Sequence, residues 1–193
     1  MAFTSFFASV RKIGRTAVLP VEKIKTIISD TLAEKNISAA LDFGAGTLFW
    51  TDWFVHKFKI MVYAVDVYYD SENMPAKEKV FCYSSLQKCL EENKEISFLW
   101  ACDVLHHLTP LDTEAFLKAI CNKTDIIIIK DIDANHKFGN FMNKIHDKII
   151  NNETIYDINP NSIDMFLMSQ GFKTIYHFVP KIWYPHFVLV AIR

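Results

Sequence analysis

One stretch constrains this chain more than any other: Ala39-Ala40-Leu41-Asp42-Phe43-Gly44-Ala45-Gly46-Thr47-Leu48. An apolar run reaches an acid, two glycines follow one residue apart, and a helical pattern begins. That order describes a buried strand that stops, turns tightly and feeds a helix. Gly44 and Gly46 carry no Cβ, so they accept unusual φ and let a ligand come close to the backbone. The helix behind them points N–H groups at the same spot. These are the makings of a nucleotide-sized docking place.

The rest of the chain alternates in the same manner. Strands are expected over Ser38 to Phe43, Ile60 to Val65, Val80 to Tyr83 and Ile96 to Ala101. Ile126-Ile127-Ile128-Ile129, between Asp125 and Lys130, reads as a central strand covered on both faces. Thr174 to Val179 and His186 to Ile192 read as a closing antiparallel pair joined across Pro180 to Pro185. Helical patterns lie between them. Pro20 opens one with Val21, Ile24, Ile28 and Leu32 on one face, and Leu86 to Glu92 forms another. Thr109-Pro110 caps and starts a third, and Phe138, Phe141, Met142, Ile145 and Ile149 share a face of a fourth. Ser162 is expected to cap a fifth, stopped by Gly171. The expected fold is α/β: a Rossmann-like, doubly wound, seven-stranded, mostly parallel sheet with a C-terminal antiparallel hairpin. Residues 1–193 form a single domain, with N-terminal helices over 1–35 on a core over 36–193.

Length and composition agree with one substantial core: 193 residues, 51% apolar, 16 of them Phe. A formal net charge of −1 without a long run of one sign argues against a nucleic-acid partner. Cys82, Cys89, Cys102 and Cys121 form no C-x-x-C pair and read as buried, reduced thiols of a cytoplasmic protein. No apolar run reaches membrane-spanning length, and the N-terminus lacks the charge order of a secretory signal. Phe3, Phe6, Phe7, Val10 and Ile13 fall at helical spacing with Arg11, Lys12 and Arg15 mostly off the stripe. That helix is expected to pack on the core, with a lid or a weak peripheral membrane contact as the sharper readings.

In a doubly wound sheet the ligand lies beyond the carboxyl ends of the strands. Asp66 ends the second strand, twenty residues after Gly46, where a nucleoside site keeps the acid for its ribose hydroxyls. A nicotinamide fingerprint needs a third glycine where Phe49 stands, and Asp42 would repel a pyrophosphate. A cationic, phosphate-free nucleoside suits both facts, which favours S-adenosylmethionine and leaves a nicotinamide oxidoreductase as a weaker alternative.

Leu41-Asp42-Phe43-Gly44-Ala45-Gly46-Thr47 resembles the first motif of class I S-adenosylmethionine-dependent methyltransferases. Val62-Tyr63-Ala64-Val65-Asp66 is similar to their second motif. Cys102-Asp103-Val104-Leu105-His106-His107-Leu108 resembles the segment after strand four in the small-molecule branch related to quinone methyltransferases. The resemblance covers roughly Glu22 to Arg193, hairpin included. It implies that Gly44, Ala45 and Gly46 meet the methionine and ribose part, Asp42 helps hold the amino end and Asp66 binds the ribose diol. It further implies that Val67 packs on adenine, Ser84 and Ser85 meet the adenine edge, and Cys102 and Asp103 line the sulfonium. Leu48 stands where many members have a third glycine, and Ser84-Ser85 where many have an acid.

Methyl transfer needs an aligned acceptor, exclusion of water and often removal of one proton. His106 and His107 are the leading candidates for that base, and two adjacent histidines cannot both point inward. Asp131 or Asp133 could orient the histidine, could hold a divalent cation with Asp103, or could be solvated loop charges. His136 is a second-tier candidate beside Asp131, and His146 with Asp147 and the Tyr184-Pro185-His186 run come later in the chain. The expected activity is methyl transfer to a small-molecule acceptor at oxygen, with a His base and no metal assigned. A non-catalytic S-adenosylmethionine-binding subunit is the alternative, and a metal-dependent O-methyltransferase a lesser one.

Overall fold

The computed structural model describes residues 19–69, 77–93, 95–146 and 155–193. The stripe from Phe3 to Ile13 and the acid Asp147 lie outside them, as does the His146 side chain. The elements run α1 (Val21–Leu32), β1 (Ala39–Phe43), α2 (Phe49–Phe58), β2 (Met61–Val65), β3 (Val80–Tyr83) and α3 (Leu86–Glu92). They continue with β4 (Phe98–Cys102), a 3-10 turn (Leu105–His107), α4 (Pro110–Cys121), β5 (Ile126–Ile132), α5 (Lys137–His146), α6 (Pro160–Ser169), β6 (Lys173–Phe178) and β7 (His186–Ile192).

All seven strands form one sheet in the order β3-β2-β1-β4-β5-β7-β6. β1 to β5 pair in parallel. β7 lies antiparallel between β5 and β6, so β6 runs with the other strands. The chain leaves β1 toward β2 and β3, then returns to β4 on the other side of β1. That reversal opens a crevice at the carboxyl ends of β1 and β4.

Alternating residues divide the core into two layers. Leu41, Leu99, Ile127, Ile129, Phe187 and Leu189 pack with Phe116, Leu117 and Ile120 of α4 and with Ile163 and Leu167 of α6. Ala40, Phe98, Trp100, Ile128 and Val190 pack on the other face with Ile24 and Ile28 of α1 and Trp50 and Phe54 of α2. Trp50 meets Trp100 edge-on at 4.9 Å, and Phe54 meets Phe98 at 5.2 Å. Each such side chain contributes about 1.5–3 kcal/mol on burial, which binds α1 and α2 to the sheet directly behind the crevice. Thr109 caps α4 by accepting the Asp112 N–H at 3.1 Å, with Pro110 in the first turn.

Two sequence expectations change in substance. The central strand does not stop at Ile129: Lys130, Asp131 and Ile132 continue β5, and all seven of its residues are buried. The two charges are tolerated because each meets a partner, described below. The cap of α6 is Asn159, whose side chain accepts the Asn161 N–H at 3.0 Å, one residue ahead of Pro160; Ser162 is already inside the helix. The apolar stripe of α5 faces outward, with Phe138 70% and Phe141 59% exposed. The helix packs through Gly139 instead, where a Cβ would lie 2.5 Å from both Pro185 Cδ and the Trp183 carbonyl oxygen.

Candidate functional site

The glycine turn is pinned to the end of β2. The Gly44 and Ala45 N–H groups both donate to the Val65 carbonyl, at 2.8 and 3.2 Å. The Gly46 N–H donates to Asp66 Oδ2 at 2.7 Å, and the Tyr68 N–H to Asp66 Oδ1 at 3.0 Å. The Tyr69 hydroxyl donates to the Gly46 carbonyl at 2.8 Å. Tyr69 is buried and had no signal in the sequence, since only the fold brings it to residue 46. Each Asp66 oxygen accepts one backbone N–H and retains acceptor capacity for a diol.

Gly44 and Gly46 lie at φ +75° and +51°, the left-handed region that glycine enters without a Cβ penalty. The space a Cβ would fill at Gly44 is taken by Val104, whose Cγ2 would lie 2.6 Å away. The missing side chain at Gly44 lets the segment leaving β4 close on the turn. Leu48, in the place of a third glycine, is itself left-handed at φ +63° and buried at the start of α2.

Asp42 is buried in β1, and its Oδ2 accepts the Thr51 hydroxyl of α2 at 2.6 Å. Burial pushes its carboxyl up to about 7, against the opposing effect of the Thr51 hydrogen bonds. Val67, beside Asp66, is 82% exposed. Ser84 and Ser85 are exposed beyond β3. Ser85 caps α3, its side chain accepting the Lys88 N–H at 3.5 Å.

At the end of β4, Cys102 Sγ lies 3.7 Å from Asp103 Oδ2. Asp103 is left-handed at φ +51°. Its Oδ1 receives the Lys130 ammonium at 2.5 Å. Burial would raise the Asp103 carboxyl, but Lys130, with His186 and His106 near it, holds it below its ordinary value. Lys130 is absent from the sequence-derived candidates. Its signal was a lone cation between Ile129 and Ile132, a position that demands a buried partner.

Across the crevice, His106 and Asp131 form a buried pair. His106 Nδ1 stands 2.6 Å from Asp131 Oδ1. Asp131 Oδ2 also accepts the Leu105 N–H at 3.1 Å, and Oδ1 the Ile132 N–H at 2.8 Å. The carboxylate is thus fixed by backbone groups of both β5 and the 3-10 turn. The His106 carbonyl accepts the Tyr156 N–H at 2.7 Å, which holds the turn from its far side. His107 is exposed, its ring 4.1 Å from that of His106.

The second-tier residues are engaged elsewhere. Asp133 accepts the Tyr176 hydroxyl at 2.9 Å and the Asn135 N–H at 2.9 Å. His136 stacks on Phe178 at 4.7 Å, and the buried His186 stacks on Tyr184 at 5.8 Å. Asp103, His106 and Asp131 each place one ligand atom within 4.8 Å of the others, the set among the described residues that could hold a metal. Asp103 Oδ1 already holds the Lys130 ammonium and Asp131 Oδ1 the His106 ring. None of the four cysteines is in a disulfide; Cys89 and Cys121 are buried and Cys82 and Cys102 partly so. No helix among the described residues is long and apolar enough to cross a membrane.

No family model matches the sequence, and no curated protein matches it. The structure does find neighbours. A SAM-dependent methyltransferase from Archaeoglobus fulgidus matches at TM-score 0.69 and 15% identity, over 89% of this chain and 94% of that one. The 1,6-didemethyltoxoflavin-N1-methyltransferase of Burkholderia thailandensis, solved with 1,6-didemethyltoxoflavin and S-adenosylhomocysteine, matches at TM-score 0.69 and 18% identity, over 100% of this chain and 85% of that one. Magnesium protoporphyrin IX methyltransferase of Synechocystis PCC 6803, solved with SAH, matches at TM-score 0.65 and 14% identity, over 89% and 82%. The chain has the fold of the S-adenosylmethionine-dependent methyltransferases.

Proposed function

We propose that this protein transfers a methyl group from S-adenosylmethionine to an oxygen of a small-molecule acceptor, with His106 as general base. The structural neighbours named above support the reaction class, and the His106–Asp131 pair carries the choice of base. Two features of the crevice support the cofactor: Asp66 has acceptor capacity left for a diol, and the exposed Val67 beside it would offer an apolar face to adenine.

When bound, S-adenosylmethionine supplies an electrophilic methyl carbon on a positively charged sulfur. Gly44, Ala45 and Gly46 would hold its methionine and ribose part, Asp66 the diol and Val67 the base. Asp131, an acceptor when ionised, takes the Nδ1 proton of His106 in a hydrogen bond and leaves the ring lone pair on Nε2. Nε2 would receive the proton of the acceptor hydroxyl. The imidazolium so formed is stabilised by Asp131, which lies against it in a site screened from water.

Calorimetric titration with S-adenosylhomocysteine and with NAD tests the cofactor. Micromolar binding of the former, lost in Asp66→Ala, is expected. Absence of that binding refutes the reading. For the base, release of S-adenosylhomocysteine is followed over a panel of small hydroxyl-bearing acceptors. His106→Ala should lower kcat by about 10²–10⁴-fold, the usual span for a general base, with His107→Ala nearly unchanged. Equal turnover in both variants removes His106 from its role.

A further inference from the structure

Lys130 sits in β5 with its side chain 0% exposed, while the carboxylate it meets, Asp103, keeps 27% exposure. The two residues are joined twice. The ammonium donates to Asp103 Oδ1 at 2.5 Å, and the Asp103 N–H donates to the Lys130 carbonyl at 2.9 Å. The register places Cys102 opposite Lys130, so the pair spans the carboxyl ends of β4 and β5. Val104, the next residue, fills the space beside Gly44. Asp103 therefore stands at the carboxyl end of β4, one residue before the Val104 that meets the glycine turn, with its partly exposed carboxylate on the buried lysine.

A buried ammonium with no partner costs several kcal/mol, and so does a buried carboxylate. The Lys130–Asp103 pair is neutral by itself. On the cofactor reading above, on which this inference rests, the crevice alternates between a ligand carrying a sulfonium before transfer and one with a neutral sulfur after it. A lone carboxylate would favour the first strongly and be left bare by the second. We propose that Lys130 is a positioning residue that serves as the resident counter-ion of Asp103, so that the crevice accepts S-adenosylmethionine and S-adenosylhomocysteine with little discrimination by charge.

The test is the ratio of the two dissociation constants, measured by calorimetry at pH 8.5. Lys130→Met should shift the ratio toward S-adenosylmethionine by about tenfold, since Asp103 then faces the sulfonium alone. Asp103→Asn should leave it within about twofold of wild type, since a buried lysine without its carboxylate releases its proton and leaves the site neutral. The double variant should return near the wild-type ratio, and Lys130→Arg should keep it. Loosened packing weakens both ligands alike and cannot move the ratio. A Lys130→Met ratio within about twofold of wild type, or one shifted toward S-adenosylhomocysteine, overturns the assignment. Should Lys130→Met not fold, Lys130→Gln decides it by the same criterion. Failure of the wild type to bind either ligand refutes the cofactor reading, whereas binding of both with an unmoved ratio refutes only the role of Lys130.

Discussion

Replacing Gly44 by alanine imposes two separable costs. The first is conformational: φ +75° is unfavourable for a residue with a Cβ by about 1–2 kcal/mol. The second is steric. The new Cβ would lie 2.6 Å from Val104 Cγ2 and 2.7 Å from Val104 Cβ, about 0.9 Å short of ordinary contact between carbon atoms. The second contact involves the root of the side chain, so rotation about χ1 cannot relieve it, and the segment leaving β4 must move. Overpacking of this kind costs about 1–3 kcal/mol, giving a total of about 2–5 kcal/mol. Gly171 provides an internal control: it lies at φ +88°, and a Cβ added there would meet nothing within 4 Å, so Gly171→Ala bears only the first cost. Urea unfolding followed by circular dichroism should place Gly44→Ala below Gly171→Ala by about 1–3 kcal/mol, with unchanged m-values. Val104→Ala on top of Gly44→Ala should recover part of the difference, because it removes the Cγ2 contact and keeps the Cβ contact. Equal losses at the two glycines would refute the reasoning.

Two further outcomes follow from the buried groups. Asp42, raised from 3.8 to about 7, binds a proton in the folded state that the unfolded chain has released. Wild-type stability should therefore fall as pH rises from about 4 to 7 and level off above, by up to about 4 kcal/mol; Asp42→Asn should lack that slope, which urea midpoints across this range will show. Tyr69→Phe removes the hydroxyl bonded to the Gly46 carbonyl. It should cost about 1 kcal/mol, or about 2–4 °C in Tm, and weaken both cofactor forms equally in calorimetry; an unchanged melting temperature would show that the bond contributes nothing.

What the sequence disclosed was local. The β3 limits, Val80–Tyr83, and the α3 limits, Leu86–Glu92, match their expected spans because turn residues and periodicity lie inside each segment. Thr109 and Pro110 announce α4 for the same reason. That the sheet is mostly parallel followed from the alternation of strands with helices. Contacts between distant residues were harder to read. Lys130 and Asp131 looked like the end of a strand because charges ordinarily end one. They are interior only because Lys130 pairs with Asp103 and Asp131 is hydrogen-bonded to His106, each partner more than twenty residues away in sequence. Asp131, His106 and His107 were named as candidates, but which histidine turns inward depends on the 3-10 turn that β5 holds in place. The outward face of α5 was unreadable too, since its helical stripe says which residues share a side and nothing about what that side meets.

Leu48 carries one more consequence. A leucine holds the left-handed backbone that glycine adopts freely, at a cost of about 1–2 kcal/mol. Its side chain, 3% exposed, regains about 1.5–3 kcal/mol by burial. The shape of this turn is therefore dictated by what packs around it and survives exchange of the residue that locally favours it. A pattern of letters can drift under such conditions while the backbone stays in place. Structures at 14–18% identity to this chain share its fold over most of its length, as such packing allows.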